Sequence, residues 1–532
     1  MDRKTLLFLS ISSGLLLSLP WISTSFSWTL FFAFLPLLVV EDQIASQKQS
    51  QSSIVMLLYG LVTFIVWNVL STWWIAYVSL TGMMLISVLN SSLMACVWWL
   101  MYLVHRKFTA RTGYFSLVVF WLTFEFLHFH WSIQWPWLTL GNGFANSVKL
   151  VQWYEFTGVL GGSLWILLTN ILLFSVYKNF SGRRYFKSLE LSGWVLLLIA
   201  LPASCSLYRY LTYAESGETR EVVVLQPNID PFIDKFSGMG YEVQVRRLGS
   251  LVEKTVSAST DIVLAPETAL PTMWEDSLLN QNQPLQSLFE TIRKKQDISL
   301  VAGAITQLKF RKGNAVSETA RQSDDGSFYY DVFNSALMID QTSGVQIGHK
   351  SILVSGVEKM PFQKYFSFIR KYAINLGGES GSLASGSHPT VFEGKTREKI
   401  GAVICFESAF GEYVGSTVKK GANLIFVMTN DGWWKDSPGV WQHFAYSKLR
   451  AIETRRSIAR SANTGISGFI DQRGEVLSKT TVNSCVAITA GIRMNNTITL
   501  YVRYGDYLGR ISLILSGLIL IYLLVDRLKK RG

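Results

Sequence analysis

A membrane α-helical bundle of about eight spans, joined to an α/β domain, is the fold class this sequence predicts. Three observations carry it. Hydrophobic residues make up 49% of the 532 and charged residues only 16%, a balance that points to membrane segments. Apolar runs near the roughly 20 residues that a helix needs to cross the hydrocarbon core fill the first two-fifths and recur at the end. Between them the texture changes: short β-branched runs alternate with amphipathic helical patterns, the mark of sheets covered by helices.

The apolar runs are 6–22, 26–40, 54–78, 83–104, 114–127, 156–176, 191–207 and 508–525. The second and fifth are short, which reads as tilt, flanking interfacial aromatics or re-entrance. The first begins beside Arg3 and Lys4, but no small-residue cleavage site follows it. Ile22-Ser23-Thr24-Ser25-Phe26 leads straight into more apolar sequence, so a retained span is expected. The expected domains are a membrane domain of seven helices over 1–218, an α/β domain over 219–504, and a last helix with a basic tail over 505–532.

The net charge is +12, yet the excess sits in short loops beside apolar runs. That placement fits topology signals rather than nucleic-acid binding. One set of loops carries Arg3, Lys4, Lys48, Arg106, Lys107, Arg111, Lys178, Arg183, Arg184, Lys187 and the tail Arg527, Lys529, Lys530 and Arg531; the other set has little beyond Lys149. Because cytoplasmic loops collect Lys and Arg, both termini are expected in the cytoplasm and 219–504 on the outer face.

Within 219–504 the expected strands are 221–225, 261–264, 299–305, 335–340, 400–404, 423–428 and 465–471. The expected helices are 241–256, 285–295 and 441–456, with a turn at 322–326. Neither the four cysteines (Cys96, Cys205, Cys405, Cys485) nor the six histidines show metal-ligand spacing, so no metal and no cofactor are expected. Cys485 reads as a structural thiol.

Three strand ends stop at a reactive side chain: DIVLAPETALP at Glu267, GHKSILVSGVE at Lys350 with Glu358 eight residues on, and KIGAVICFES at Cys405. Strand ends hold a side chain rigidly from below while leaving it open above. A thiol with an ordinary pKa near ~8.5 needs a base or a positive neighbour to attack well. A carboxylate can accept its proton, and an ammonium can stabilise thiolate and oxyanion. Lys350 and Lys359 are both candidates for the ammonium. No histidine stands beside Cys405 in sequence, which weighs against a Cys–His pair.

Taken together, APETALP, the lysine segment and ICFES resemble the nitrilase superfamily. The flanking spans narrow the resemblance to the bacterial apolipoprotein N-acyltransferases. NDGWWKDSPGVWQHF (430–444), RSANTGISGFID (460–471) and QWPWLTLG (134–141) are similar to further segments of that family, so the likeness covers essentially the whole chain. It implies an αββα sandwich with Glu267 as general base, Lys350 as oxyanion and thiolate stabiliser and Cys405 as nucleophile. Glu358, Glu407 and Phe406 are supporting residues, and Trp433, Trp434 and Asn430 are candidates for substrate binding. The spacing to Glu358 favours Lys350 over Lys359. Where the family writes Leu-Val-Pro-Phe-Gly-Glu, this chain has Leu353-Val354-Ser355-Gly356-Val357-Glu358. A family tryptophan has no match near Lys235 and Phe236.

The implied reaction moves an acyl chain from a phospholipid, phosphatidylethanolamine by the resemblance, through a Cys405 thioester to the α-amine of a diacylglyceryl lipoprotein. The lipid bilayer is the other partner, nucleic acid is not one, and a monomer is expected. The rivals are a membrane-tethered nitrilase-type amidase acting on a small amide or nitrile, and a non-catalytic binding or transport protein. Aromatic and basic residues in 362–380 suggest a lid at the membrane surface. Glu125, in an apolar run, reads as an interfacial hydrogen-bonding group. Trp73, Trp74, Trp135 and Trp137 read equally as acyl-chain contacts or as an interfacial belt.

Overall fold

The computed structural model describes residues 1–46, 53–235, 238–277, 286, 288, 290, 292, 298–310, 316–340, 344–359 and 383–529. The chain divides into two compact units, Met1–Tyr213 with Tyr504–Gly532, and Ala214–Arg503. The lid segment 362–380 lies outside the described residues, as does most of the expected helix 285–295, of which 286, 288, 290 and 292 are helical.

The first unit is all helix: α1 (Arg3–Ile22), α2 (Leu35–Ser46), α3 (Ile54–Thr72), α4 (Leu80–Lys107), α5 (Ala110–His130), α6 (Val159–Ser181), α7 (Tyr185–Thr212) and the final helix Tyr507–Lys529. Among the described residues, eight segments are long and apolar enough to cross a membrane, counting Ser27–Ser46 as one. That second segment is broken: a 3₁₀ turn at Ser27–Phe31 precedes α2. Its freed backbone groups need partners where water is excluded. Asn170 on α6 supplies them, donating to the Leu30 carbonyl (2.7 Å) and accepting from the Phe34 amide (2.8 Å). The fifth segment is longer than its apolar run suggested, because polar residues at both ends continue the helix from Ala110 to His130.

Glu125 is a hydrogen-bonding group inside the helical unit. It is buried, and its Oε1 accepts from Trp121 Nε1 (3.0 Å) and from the Leu140 amide (2.8 Å). The carboxyl thereby pins the non-helical stretch after α5. Trp74 and Trp137 are also buried, 5.1 Å apart, which removes both from an interfacial belt, whereas Trp73 is exposed.

The second unit contains two sheets. One has strands β1 (Thr219–Gln226), β2 (Ile262–Leu264), β3 (Leu270–Trp274), β4 (Ser299–Lys309), β5 (Arg321–Gln322), β6 (Tyr329–Asp340) and β7 (Gly344–His349), then β14 (Val486–Arg493) at its edge beside β1. The other holds β8 (Thr390–Glu393), β9 (Lys399–Ile404), β10 (Leu424–Thr429), β11 (Ile458–Ala462), β12 (Gly468–Ile470) and β13 (Val476–Lys479), in the order β13-β12-β11-β10-β9-β8. Strands β1, β2 and β4 run parallel, as do β9, β10 and β11.

Alternation along each strand builds three layers of core. Val222, Val224, Ile262 and Leu264 meet Ile400, Ile404, Phe426 and Met428 between the sheets. Val223 and Leu225 face outward onto α8 (Tyr241–Thr255) through Val245, Leu248 and Val252. Val403, Ile425 and Val427 pack on α9 (Gly411–Lys419) and α10 (Pro438–Thr454). Burial on both faces explains why the parallel strands read as unbroken apolar runs. This is an αββα sandwich. The expected strand 465–471 contracts to Gly468–Ile470. Strand β11 went unread because its run, IARSA, carries two polar residues that the core absorbs: Arg460 bonds inward to Asp431 and Ser461 to the Leu225 carbonyl.

Candidate active site

Glu267 follows β2 by three residues, and its turn is held on several sides. The Ala265 amide donates to Val301 O (2.8 Å) and the Gly303 amide to Pro266 O (3.0 Å). Thr268 takes a left-handed φ of 49°. Gly303 has no alternative: a Cβ there would lie 2.6 Å from Glu267 Cα. Lys235 Nζ donates to Glu267's own carbonyl at 3.3 Å. That lysine is buried, which brings it down to about 8, with Glu267 pulling the other way.

Lys350 follows β7, whose last residue is clamped: His349 stacks on Phe333 with ring centroids 3.9 Å apart, and its Nε2 lies 2.7 Å from Glu275 Oε1. Lys350 Nζ then donates to Glu267 Oε1 (3.1 Å) and Glu358 Oε1 (2.8 Å). Asn334, from the middle of β6, donates to the same two oxygens at 2.8 and 3.0 Å. Burial opposes the charge on Lys350, yet Glu267 and Glu358 together outweigh it and hold the ammonium well above the usual lysine range. The 353–358 loop lacks Pro-Phe but closes all the same. The Glu358 amide donates to Val354 O (2.9 Å), Gly356 takes φ 85°, and the Val354 amide donates back to Glu358 Oε2 (2.8 Å). The neighbouring Lys359 amine sits beside Glu358 and is lowered by burial.

Cys405 opens a 3₁₀ turn directly after β9, with a left-handed φ of 51°. A non-glycine residue there costs of order 1–3 kcal/mol and persists only where its surroundings over-determine it. Glu407 is one determinant: it accepts from the Ile404 amide (2.8 Å) on the Cys405 side and from the Ser351 (2.6 Å) and Ile352 (3.1 Å) amides beside Lys350. Burial pushes Glu407 up to about 7 against those bonds. Burial also pushes the Cys405 thiol far up, Glu267 adds to the effect and Lys350 opposes it. The resting group is therefore a thiol.

The other expected residues have packing partners. Phe406 is buried edge-on to Phe410 at 5.1 Å. Asn430 is buried, and its Oδ1 accepts from Asn463 (3.0 Å). Trp433 packs on Phe232 at 5.2 Å and Trp434 on His443 at 5.4 Å. Cys485 is exposed just before β14.

Sequence reading missed Asn334, Lys235 and the buried set behind Cys405. His443 Nε2 lies 3.2 Å from the Cys405 carbonyl oxygen and 2.9 Å from Ser408 Oγ. Its Nδ1 lies 2.8 Å from Asp431 Oδ1, whose other oxygen accepts from Arg460 (2.8 Å). The histidine stands far from Cys405 in sequence, and α10 carries it in.

Residues 13–172 match the family model of the apolipoprotein N-acyltransferase N-terminal domain, and residues 239–500 match that of carbon-nitrogen hydrolases. Proteins named apolipoprotein N-acyltransferase are similar over nearly full length. The one from Chlorobaculum tepidum is 27% identical over 98% of this chain and 97% of its own. That from Geobacter metallireducens is 28% identical over 94% and 91%, and that from Thermotoga maritima 26% over 96% and 92%. With a unit that matches the apolipoprotein N-acyltransferase N-terminal domain followed by one that matches the carbon-nitrogen hydrolases, the chain is similar over nearly its whole length to the apolipoprotein N-acyltransferases.

Proposed function

We propose that this chain is an apolipoprotein N-acyltransferase that works through a Cys405 thioester. The observation that carries the reading is the buried cluster in which Lys350 bridges Glu267 and Glu358, joined to the strained Cys405 turn by Glu407. An inner-membrane location follows from the eight apolar helices and the family likeness. We assign 1–218 and 505–532 to the membrane and 219–504 to catalysis on the outer face, with both termini cytoplasmic, as the distribution of basic residues supports.

In the first half-reaction Glu267 takes the Cys405 proton as sulfur attacks the ester carbonyl of a phospholipid, phosphatidylethanolamine in our reading. The Lys350 ammonium faces the developing oxyanion. As the tetrahedral adduct collapses, the proton passes to the departing glycerol oxygen, and lysophospholipid leaves. In the second, the α-amine of a diacylglyceryl-cysteine attacks the thioester. Glu267 accepts a proton from that nitrogen and returns one to sulfur, leaving an amide and the free thiol. Thioester aminolysis is downhill, so no cofactor enters. Monomers suffice, since every group comes from one chain.

Intact mass of the detergent-purified protein after incubation with phosphatidylethanolamine tests this. A gain of one acyl group, absent in Cys405→Ala, is the expected result. No gain on folded parent protein would sink the thioester reading and favour the small-amide hydrolase.

A further inference from the structure

Behind the nucleophile lies a set of side chains that the reaction above does not use. Asp431, His443, Arg460 and Ser408 have no exposed surface. Ser408 Oγ sits 2.9 Å from His443 Nε2, and His443 Nδ1 sits 2.8 Å from Asp431 Oδ1. Those are the contacts of a Ser–His–Asp triad. Complete burial rules Ser408 out as a second nucleophile, because no ester can reach it. Its other partner is the Cys405 carbonyl oxygen at 2.8 Å. The relay therefore ends on the backbone of the residue that carries the reactive sulfur.

We propose that His443 is a positioning residue for the first half-reaction, holding the left-handed Cys405 turn through Ser408 and the Cys405 carbonyl. The inference rests on the assignment of Cys405 as nucleophile. Glu407 fixes the front of the turn through the Ile404 amide, and His443 fixes its back from another element, α10. The neighbours on both ring nitrogens fit an anchoring role. Asp431 and Arg460 face Nδ1, with Arg460 NH2 at 2.9 Å; Ser408 and the Cys405 carbonyl face Nε2; Trp434 packs edge-on. Thr429 Oγ1 donates to Asp431 Oδ1 (2.8 Å) and so fixes the carboxylate in turn. Burial and the adjacent Arg460 guanidinium lower His443, Asp431 opposing them, so the ring is neutral at neutral pH. Ser408 Oγ gives its single proton to the Cys405 carbonyl, so the neutral ring donates from Nε2 to Ser408 Oγ, and Nδ1 accepts from the Arg460 guanidinium.

Two substitutions separate anchoring from bulk packing. In His443→Gln the amide falls where Nε2 was and can still hold Ser408 and the Cys405 carbonyl. In His443→Asn it falls where Nδ1 was, keeping Asp431 and losing Ser408. Full-length variants are mixed with phosphatidylethanolamine, and acyl-enzyme formation and the later attack of an amine acceptor on isolated acyl-enzyme are timed separately. Cys405 alkylation by iodoacetamide is timed in parallel. His443→Asn slows acyl-enzyme formation by about 30-fold or more, as a displaced nucleophile should, and His443→Gln stays within about 3-fold. Ser408→Ala slows it by about 10-fold, and aminolysis changes by no more than about 3-fold in all three. His443→Asn acylating at the parent rate, or His443→Gln falling as far as His443→Asn, overturns the proposal. Should the parent itself take up no acyl group, the thioester reading fails instead, and the alkylation rates decide this one: equal rates in parent and His443→Asn overturn it.

Discussion

The two sheets of the sandwich contribute unlike halves of one site. The first sheet supplies ions: Glu267, Lys350 and Glu358, with Asn334 bonded to both carboxylates. The second supplies a strained backbone and a protonated thiol, tethered by Glu407 and His443. In the ionic half the charges satisfy one another before any substrate arrives, so the field that meets the oxyanion costs no reorganisation during the reaction. In the other half burial outweighs what favours the thiolate, Lys350 and the Thr429 hydroxyl, and the backbone carries strain. Faults in the ionic half should therefore cost stability and rate together. Faults in the strained half should show in rate, or in how stability depends on pH.

The largest effects test the ionic half. Lys350→Met leaves the carboxylates of buried Glu267 and partly buried Glu358 without the ammonium that bridges them. Breaking a buried pair costs about 3–5 kcal/mol, so the detergent-solubilised variant should melt far earlier. Acyl-enzyme formation should fall by about 10³-fold as well. Adding Glu267→Gln removes one of the stranded charges and should recover much of the stability and none of the rate. Glu267→Gln alone keeps an oxygen for Asn334 and Lys350, so it should fold nearly as the parent while losing about 10²- to 10⁴-fold in rate. A Lys350→Met protein as stable as the parent would break the distinction between the halves.

The second sheet carries two buried carboxyls that titrate in opposite senses. Asp431 is buried, yet Arg460 and His443 bring it down to about 2, so its contribution is present at neutral pH and lost only in acid. Glu407 is the reverse: burial raises it from 4.5 to about 7. The folded protein binds that proton more tightly than the unfolded chain does. Its contribution is full below the unfolded value of 4.5 and is lost as pH rises through about 7. The shift corresponds to a few kcal/mol at most, about 3 by linkage. Thermal midpoints of the parent and Glu407→Gln, measured between about pH 5 and pH 8, should converge or cross as pH rises, because the amide has no proton to lose. A constant difference across that range would mean that Glu407 is ionised throughout.

How much of this could be read from the chain alone follows the same division. Glu267 and Cys405 each follow a strand whose apolar run is visible, and the eight spans were legible for the same hydrophobic reason; β7, GVQIGH, was not among the expected strands, and Lys350 was preferred to Lys359 on its family spacing to Glu358. The supports were not legible. Asn334 sits mid-strand between Phe333 and Ser335 with no local signature, and it acquires meaning only when β6 lies beside β4 and β7. His443 is one residue of an amphipathic helix until α10 carries it beneath Cys405. Strand β11 hid because Arg460 and Ser461 interrupt its pattern, and the partners that make their burial tolerable are distant in sequence. Where a buried polar group's partner lies far along the chain, periodicity carries no trace of it.

The smallest effect isolates geometry from charge. Gly303 on β4 lies against the Glu267 turn, and an added methyl would meet three backbone atoms: Glu267 Cα and Thr268 N at 2.6 Å and Pro266 O at 2.8 Å. No flexible side chain can yield there, so the turn itself must shift. Overpacking of this kind costs about 1–3 kcal/mol. A displacement of a few tenths of an ångström moves the Glu267 carboxylate relative to Lys350 and to the sulfur whose proton we propose it takes, which should slow acylation by up to about 10²-fold. Gly356 is the control. It takes φ 85° with nothing near the missing Cβ, so Gly356→Ala pays only the left-handed penalty of about 1–2 kcal/mol. If both alanines cost similar stability and only Gly303→Ala slows acylation, the position of the base is what the first sheet protects. Equal slowing by both would mean that the 353–358 loop, which holds Glu358 on Lys350, matters to the chemistry as much as the turn that holds Glu267.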